Sequence, residues 1–184
     1  MGPTLQEKDV IFAFDDGWEV EKFDEWPEHK ALNRSPYHAK GCDFVAHDGR
    51  HLWLVEVKDY TRDARTAPPE LPEEVGVKAF HTLATIHAVA RWGLDPHREF
   101  CARALACTEL SLCLSVELPD KGRKLMGVAK PLADLKDELA RVTRPLGCHR
   151  PVVTAALLTS QTHARGVPWE AHRDPATRHR HHDR

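Results

Sequence analysis

Gly41–Tyr60 reads G-C-D-F-V-A-H-D-G-R-H-L-W-L-V-E-V-K-D-Y. Two apolar runs, Cys42–Ala46 and His51–Tyr60, flank His47-Asp48-Gly49-Arg50. Asp-Gly between such runs is a strong hairpin signal, so the stretch is expected to be two antiparallel strands. Side chains alternate along a strand, which puts Leu52, Leu54, Glu56 and Lys58 on one face. A Glu and a Lys on a face this apolar do not make a solvated surface, because buried charges are costly unless paired or bound to metal. If Asp48-Gly49 is a two-residue loop, Asp43 faces Leu54 and lies diagonal to Glu56; a four-residue loop preserves this parity. Asp43, Glu56 and Lys58 are therefore expected to converge on one side of the hairpin. A three-residue loop would break that arrangement unless a bulge restored it.

Outward from this stretch, Asp9–Phe14 reads as a strand, Asp15-Asp16-Gly17 as a turn, and Trp18–Phe23 as a second strand paired with the first. Pro27–Asn33 is a short helix closed by Ser35-Pro36. Thr61–Pro72, with three prolines, reads as a loop. Glu73–Trp92 is the clearest helix, with Val77, Phe80, Leu83, Ala84 and Ala90 recurring on one stripe and Ile86 and Val89 widening it. Pro96 opens a further helix to about Cys107, and Leu110–Leu118 is an apolar strand stopped by Pro119-Asp120-Lys121-Gly122. Pro131–Val142 is amphipathic, with Leu132, Leu135 and Leu139 on one face. Val152–Leu158 and the region of Trp169 are late strands. The order predicts one α/β domain over residues 1–173, a central mixed β-sheet flanked by helices. Residues 174–184, nearly devoid of apolar side chains, are expected to be a disordered His/Arg-rich tail.

Composition narrows the function classes. The chain has 184 residues, 41% of them hydrophobic and 29% charged, with a mean hydropathy of -0.51. Its apolar runs are strand-sized, far short of the roughly 20 residues a membrane span needs, and Met1–Lys8 offers no signal-peptide core. Membrane residence and secretion are disfavoured. Cys42, Cys101, Cys107, Cys113 and Cys148 are odd in number and form no C-x-x-C pair, which suits buried thiols in a reducing cytoplasm rather than a disulfide framework or a metal–thiolate site. The net charge of -2 divides unevenly. Residues 1–60 hold 7 basic against 13 acidic side chains, and the remainder 19 against 15. A basic half in a near-neutral chain gives only weak support to a polyanionic partner. Trp18, Trp26 and Trp53 are expected to pack rather than to stack on bases. Ser160 and the cysteines show no readable His–acid arrangement for nucleophilic catalysis.

Carboxylate oxygens at the spacing of Asp43 and Glu56 suit a hard cation, Mg²⁺ or Mn²⁺. Such a cation activates water and neutralises charge on a phosphodiester, while an amine can stabilise the developing negative charge. Asp43 followed by Glu56-Val57-Lys58 resembles the motif of the PD-(D/E)XK nuclease superfamily, the restriction-endonuclease-like fold. The match covers Gly41–Tyr60, and the helix after it and the strand Leu110–Leu118 are compatible with the rest of that core. The resemblance implies metal-dependent phosphodiester hydrolysis, with Asp43 and Glu56 as metal ligands, the Val57 carbonyl as a further ligand, and Lys58 catalytic. It implies nucleic acid as substrate, DNA favoured, in defence, toxin activity or DNA processing, and a homodimer or a partner subunit in a larger complex. Cys42 stands where the motif has proline. An upstream helical acid, Glu25 or Glu28, has no fixed place in this sequence, nor have Lys78 and His81, read as phosphate contacts on the polar side of their helix. The alternative is a non-catalytic nucleic-acid-binding or protein-interaction module on the same fold; the ordinary reading of the motif strand is an edge strand with Glu56 bridged to Lys58. Asp59 faces the other way and is expected to be exposed.

Overall fold

A computed structural model describes residues 2–60, 70–117, 125–155 and 166–174, without the side chains of 125–131. Two sheets and a layer of helices stack on one another. The five-stranded sheet runs β3 (Glu19–Lys22), β4 (Phe44–His47), β5 (His51–Asp59), β6 (Glu109–Glu117), β7 (Val152–Thr154). It is mixed: β3–β4–β5 are antiparallel, whereas β5–β6–β7 are parallel. Parallel neighbours need long crossovers. Those crossovers are α2 (Leu71–Trp92) with α3 (His97–Ala106), and α4 (Leu125–Thr143). The second sheet has the order β1 (Thr4–Glu7), β2 (Val10–Phe14), β8 (Trp169–Arg173), all antiparallel. The remaining helix is α1 (Pro27–Arg34), with Pro27 at its first turn as its fixed φ favours.

The central sheet is buried on both faces, which explains why β5 is apolar without alternation. One face meets the helices: Val45, Leu52, Leu54, Leu112, Leu114 and Val116 pack against Val75, Ala79, Ile86, Val89 and Leu139. The other meets the small sheet: Phe44, Ala46, Trp53, Val55 and Val57 pack against Phe12, Phe14, Trp169 and Ala171. Trp26 and Trp53 are core residues. All five cysteines are free thiols; burial pushes Cys42 up strongly and Cys101 to about 12.

Several sequence expectations change. The hairpin between Asp9–Phe14 and Trp18–Phe23 does not form. β2 pairs with β1 and β8, and β3 pairs with β4, so Asp15-Asp16-Gly17 carries the chain from one sheet to the other. Gly17, at φ +89°, supplies the left-handed turn residue. Thr4–Glu7, unassigned from sequence, is a strand. The buried stripe of α2 is rotated. Val77, Phe80 and Ala84 are exposed, and Val75, Ala79, Ile86 and Val89 face the sheet. Helical periodicity fixes the spacing of a stripe, but an apolar content spread around the helix leaves its direction to packing. α2 also starts earlier than Glu73, at Leu71. The motif strand β5 lies between β4 and β6 and is not an edge. Asp59 is not exposed; its side chain is 11% accessible, with Arg173 at 3.6 Å. Most of the Thr61–Pro72 loop, the end of Val152–Leu158, Ser160 and all but the first residue of the tail lie outside the described residues.

Candidate functional site

The β4–β5 hairpin has the four-residue connection that preserves parity, with His47 opposite Leu52 and Phe44 opposite Val55. Asp48 organises the turn by accepting the N–H groups of Arg50 and His51 at 2.8 and 2.7 Å, an Asx-type arrangement. These bonds hold its carboxyl down at about 2 despite burial. Where β4 begins, the Asp43 N–H donates to the Val55 carbonyl at 3.0 Å, although Val55 is already the partner of Phe44. Two residues opposing one is the geometry of a β-bulge, which re-aims a side chain next to a strand end. The Asp43 carboxylate accordingly accepts the Val57 N–H at 2.6 Å. The Asp43 carbonyl is tied down as well, accepting the Phe23 N–H at 3.0 Å.

Glu56 is 1% exposed. Its Oε1 meets Lys78 Nζ at 2.6 Å and Lys58 Nζ at 3.3 Å, while its Oε2 is buried without a hydrogen-bond partner. Burial, then the charge of Asp43, raises its carboxyl to about 7, against the lowering effect of the two lysines. Lys58 also bonds Glu74 Oε1 at 2.9 Å. Burial disfavours its ammonium, but the bond to Glu74 and the charge of Glu56 outweigh that and raise its pKa. Lys58 is thus held as an ammonium paired with Glu56 and Glu74.

Asp43, Glu56, Val57 and Lys58 are gathered at one end of the hairpin. Lys78 joins them through Glu56, facing the sheet rather than the polar side assigned from sequence. His81 does not touch the group; its Nδ1 accepts the Lys40 N–H at 3.0 Å. Neither upstream acid reaches the site. Glu25 is 3.5 Å from Lys22, and Glu28 meets His97 at 3.0 Å.

Other residues arrive from afar. Lys8, in the β1–β2 turn, donates to the Val57 carbonyl at 2.6 Å. The neighbouring Glu7 carboxyl is raised by burial and by the charge of Asp43, offset in part by Lys22 at 3.2 Å. Only Glu74 had a legible signal, lying four residues before Lys78 on the same helix. The others depend on how the small sheet docks.

Among the described residues no group of three or more His, Cys, Asp or Glu side chains could hold a metal ion. The oxygen donors at hand are two carboxylates and one main-chain carbonyl. No helix of the described residues is long and apolar enough to cross a membrane.

No family model and no solved structure matches the chain. It is similar to a cysteine--tRNA ligase from Neisseria meningitidis serogroup A, at 27% identity across 90% of this chain and 29% of that protein. The chain therefore spans less than a third of the curated relative it matches.

Proposed function

We propose that the chain is a metal-dependent hydrolase of nucleic-acid phosphodiesters, built on a restriction-endonuclease-like core. The observation that carries this reading is Glu56, whose Oε2 is buried and unpartnered, whose Oε1 meets the Lys58 ammonium, and whose carboxyl is raised in part by the charge of Asp43. A lone buried carboxylate oxygen is costly, and a hard cation would satisfy it. Asp43, Glu56 and the Val57 carbonyl are the residues that would hold Mg²⁺ or Mn²⁺. When bound, the ion would acidify a water and neutralise phosphate charge. Lys58, kept protonated by Glu74, would stabilise negative charge on the phosphoryl oxygens. Lys78 offsets the charge of Glu56. DNA is the favoured substrate on the motif's resemblance, and the likeness to a tRNA ligase adds RNA to the substrates to test.

One observation favours the second reading, a binding module without catalysis. Lys8 already occupies the Val57 carbonyl and Lys78 already occupies Glu56 Oε1, so internal ammonium groups sit where a cation would. Cleavage decides between the two. Single- and double-stranded DNA and RNA would be incubated with Mg²⁺ or Mn²⁺, with and without chelator. Wild type is expected to cut at least one form. Lys58→Ala should lower kcat by roughly a hundredfold or more while binding changes little. Absence of cleavage in every form would put the binding module ahead.

A further inference from the structure

Beside the carboxylate site lies a cleft of about 380 Å³ lined by Asp24, His29, Lys30, Asn33 and Arg34. Small-ligand clefts span roughly 300–1,000 Å³, so this one has room for a single nucleotide. It abuts the site through the backbone, since the Asp24 N–H is 3.4 Å from the Asp43 carbonyl.

The lining includes a polar group that the fold leaves without a partner. His29 is only 7% exposed, and its Nδ1 is buried with no hydrogen-bond partner. Its ring is fixed against Phe23, centroids 4.8 Å apart. Gly41 permits this packing, because a Cβ there would lie 2.5 Å from the Phe23 ring and 2.9 Å from that of His29. Burial, then the charges of Lys78 and His81, lowers the His29 pKa. Asn33 spends its amide N–H on the Ala39 carbonyl at 2.9 Å, and Arg34 spends its Nε–H on the Lys30 carbonyl at 3.2 Å. The Asn33 amide oxygen and the Arg34 terminal nitrogens take no part in these two bonds. Lys30 and Arg34 stand four residues apart on α1, so they are neighbours on one helix face, a spacing that suits one phosphate.

We propose that this cleft is a subsite for one unpaired nucleotide of the polynucleotide, with Lys30 and Arg34 holding its phosphate and His29, Asn33 and Asp24 hydrogen-bonding its nucleoside. The proposal rests on the reading that the substrate is a polynucleotide. It adds a single-stranded segment next to the scissile position.

Fluorescein-labelled deca-thymidylate and deca-uridylate, titrated with the full chain in EDTA between 50 and 200 mM salt, test it without any cleavage. Lys30→Ala/Arg34→Ala changes two exposed side chains and should keep the wild-type circular dichroism. It is expected to bind at least tenfold more weakly, with a salt slope shallower by about 0.7, the contribution of one single-strand phosphate contact. His29→Phe, which keeps the ring packing, should weaken binding several-fold at unchanged salt slope. The two oligomers tell whether the deoxy or the ribo sugar is preferred. Unchanged affinity and slope in the double variant would overturn the subsite, and so would failure of wild type to bind either oligomer. A protein that binds as expected but never cuts leaves the subsite standing and sinks the hydrolase. One that cuts while the double variant binds like wild type does the reverse.

Discussion

Burial and the neighbouring Asp43 raise the Glu56 carboxyl from the ordinary 4.5 to about 7, and that single residue ties stability to pH. The folded state holds the Glu56 proton more tightly than the unfolded chain does. Its contribution is therefore present below about 4.5 and is lost as pH rises through about 7. The loss amounts to about 3 kcal/mol at about 1.4 kcal/mol per pH unit. His29 and His47, lowered by burial, act in the opposite sense around their ordinary values. Urea unfolding of wild type and Glu56→Gln from pH 5 to 8 separates these effects. The stability difference between the two proteins should shift by about 2.5 kcal/mol in favour of Glu56→Gln across that range, and a constant difference would show that Glu56 ionises normally. Lys8 bears on the same site from outside the hairpin. Its ammonium on the Val57 carbonyl would compete with a cation, so Lys8→Met is expected to enlarge the Mn²⁺-induced rise in melting temperature. Asp43→Asn should abolish that rise, which for wild type corresponds to about 2.7 kcal/mol at a hundredfold excess over Kd. Chains ending at Asp174 would be used for these melts, so that His179, His181 and His182 cannot supply the metal response. Equal shifts in wild type and Asp43→Asn would remove the metal site.

At the scale of the element, α2 brings the helix layer's charges to the motif strand, and two contacts set its position. Thr82 Oγ1 accepts the Cys42 N–H at 2.9 Å and donates to the Lys78 carbonyl at 2.8 Å. Thr82→Val keeps the shape but leaves a buried N–H unsatisfied, which should cost about 1–3 kcal/mol in urea unfolding. Gly76 lies where α2 crosses α4, and a Cβ there would overlap the Val142 side chain. Gly76→Ala thus sets a helix-propensity gain of about 1 kcal/mol against overpacking of about 1–3 kcal/mol. A net loss of stability is expected, restored when Val142→Ala is added. If Gly76→Ala alone stabilises the protein, the two helices are not this close.

At the scale of the whole molecule, the small sheet joins the two ends of the described chain. β8 pairs with β2 from Val10↔Arg173 to Phe14↔Trp169. Trp169 is fully buried and meets Phe14 and Trp53, with ring centroids 5.2 Å apart in each pair. The same sheet delivers Glu7 and Lys8 to the site, so its docking and the site's electrostatics are coupled. Trp169→Ala should cost about 3–5 kcal/mol. In a two-state urea transition the loss would register through every probe, including the environment of Glu56. A variant that loses β8 yet keeps an unchanged central-sheet transition would show the small sheet to be a separate folding unit.

Local rules carried much of this into the sequence. The two apolar runs of Gly41–Tyr60 and the Asp-Gly between them specify the hairpin, and even loop parity puts Asp43 with Glu56, because side-chain direction along a strand has period two. Length and apolar spacing likewise specify the helices over Glu73–Trp92 and Pro131–Val142, and the pattern of strands and helices specifies a mixed sheet. What the sequence could not specify is whatever depends on partners distant along the chain. The bulge at Asp43, the rotation of α2 that buries Val75 and exposes Val77 and Phe80, and the transfer of β2 to another sheet all follow from packing between layers. So do the placements of Lys8, Glu7 and Lys78, and the failure of Glu25 and Glu28 to reach the site. Strand and helix periods constrain neighbours a few residues apart, whereas the polar groups on Asp43, Glu56 and Val57 come from three layers, and only the assembled tertiary structure brings those together.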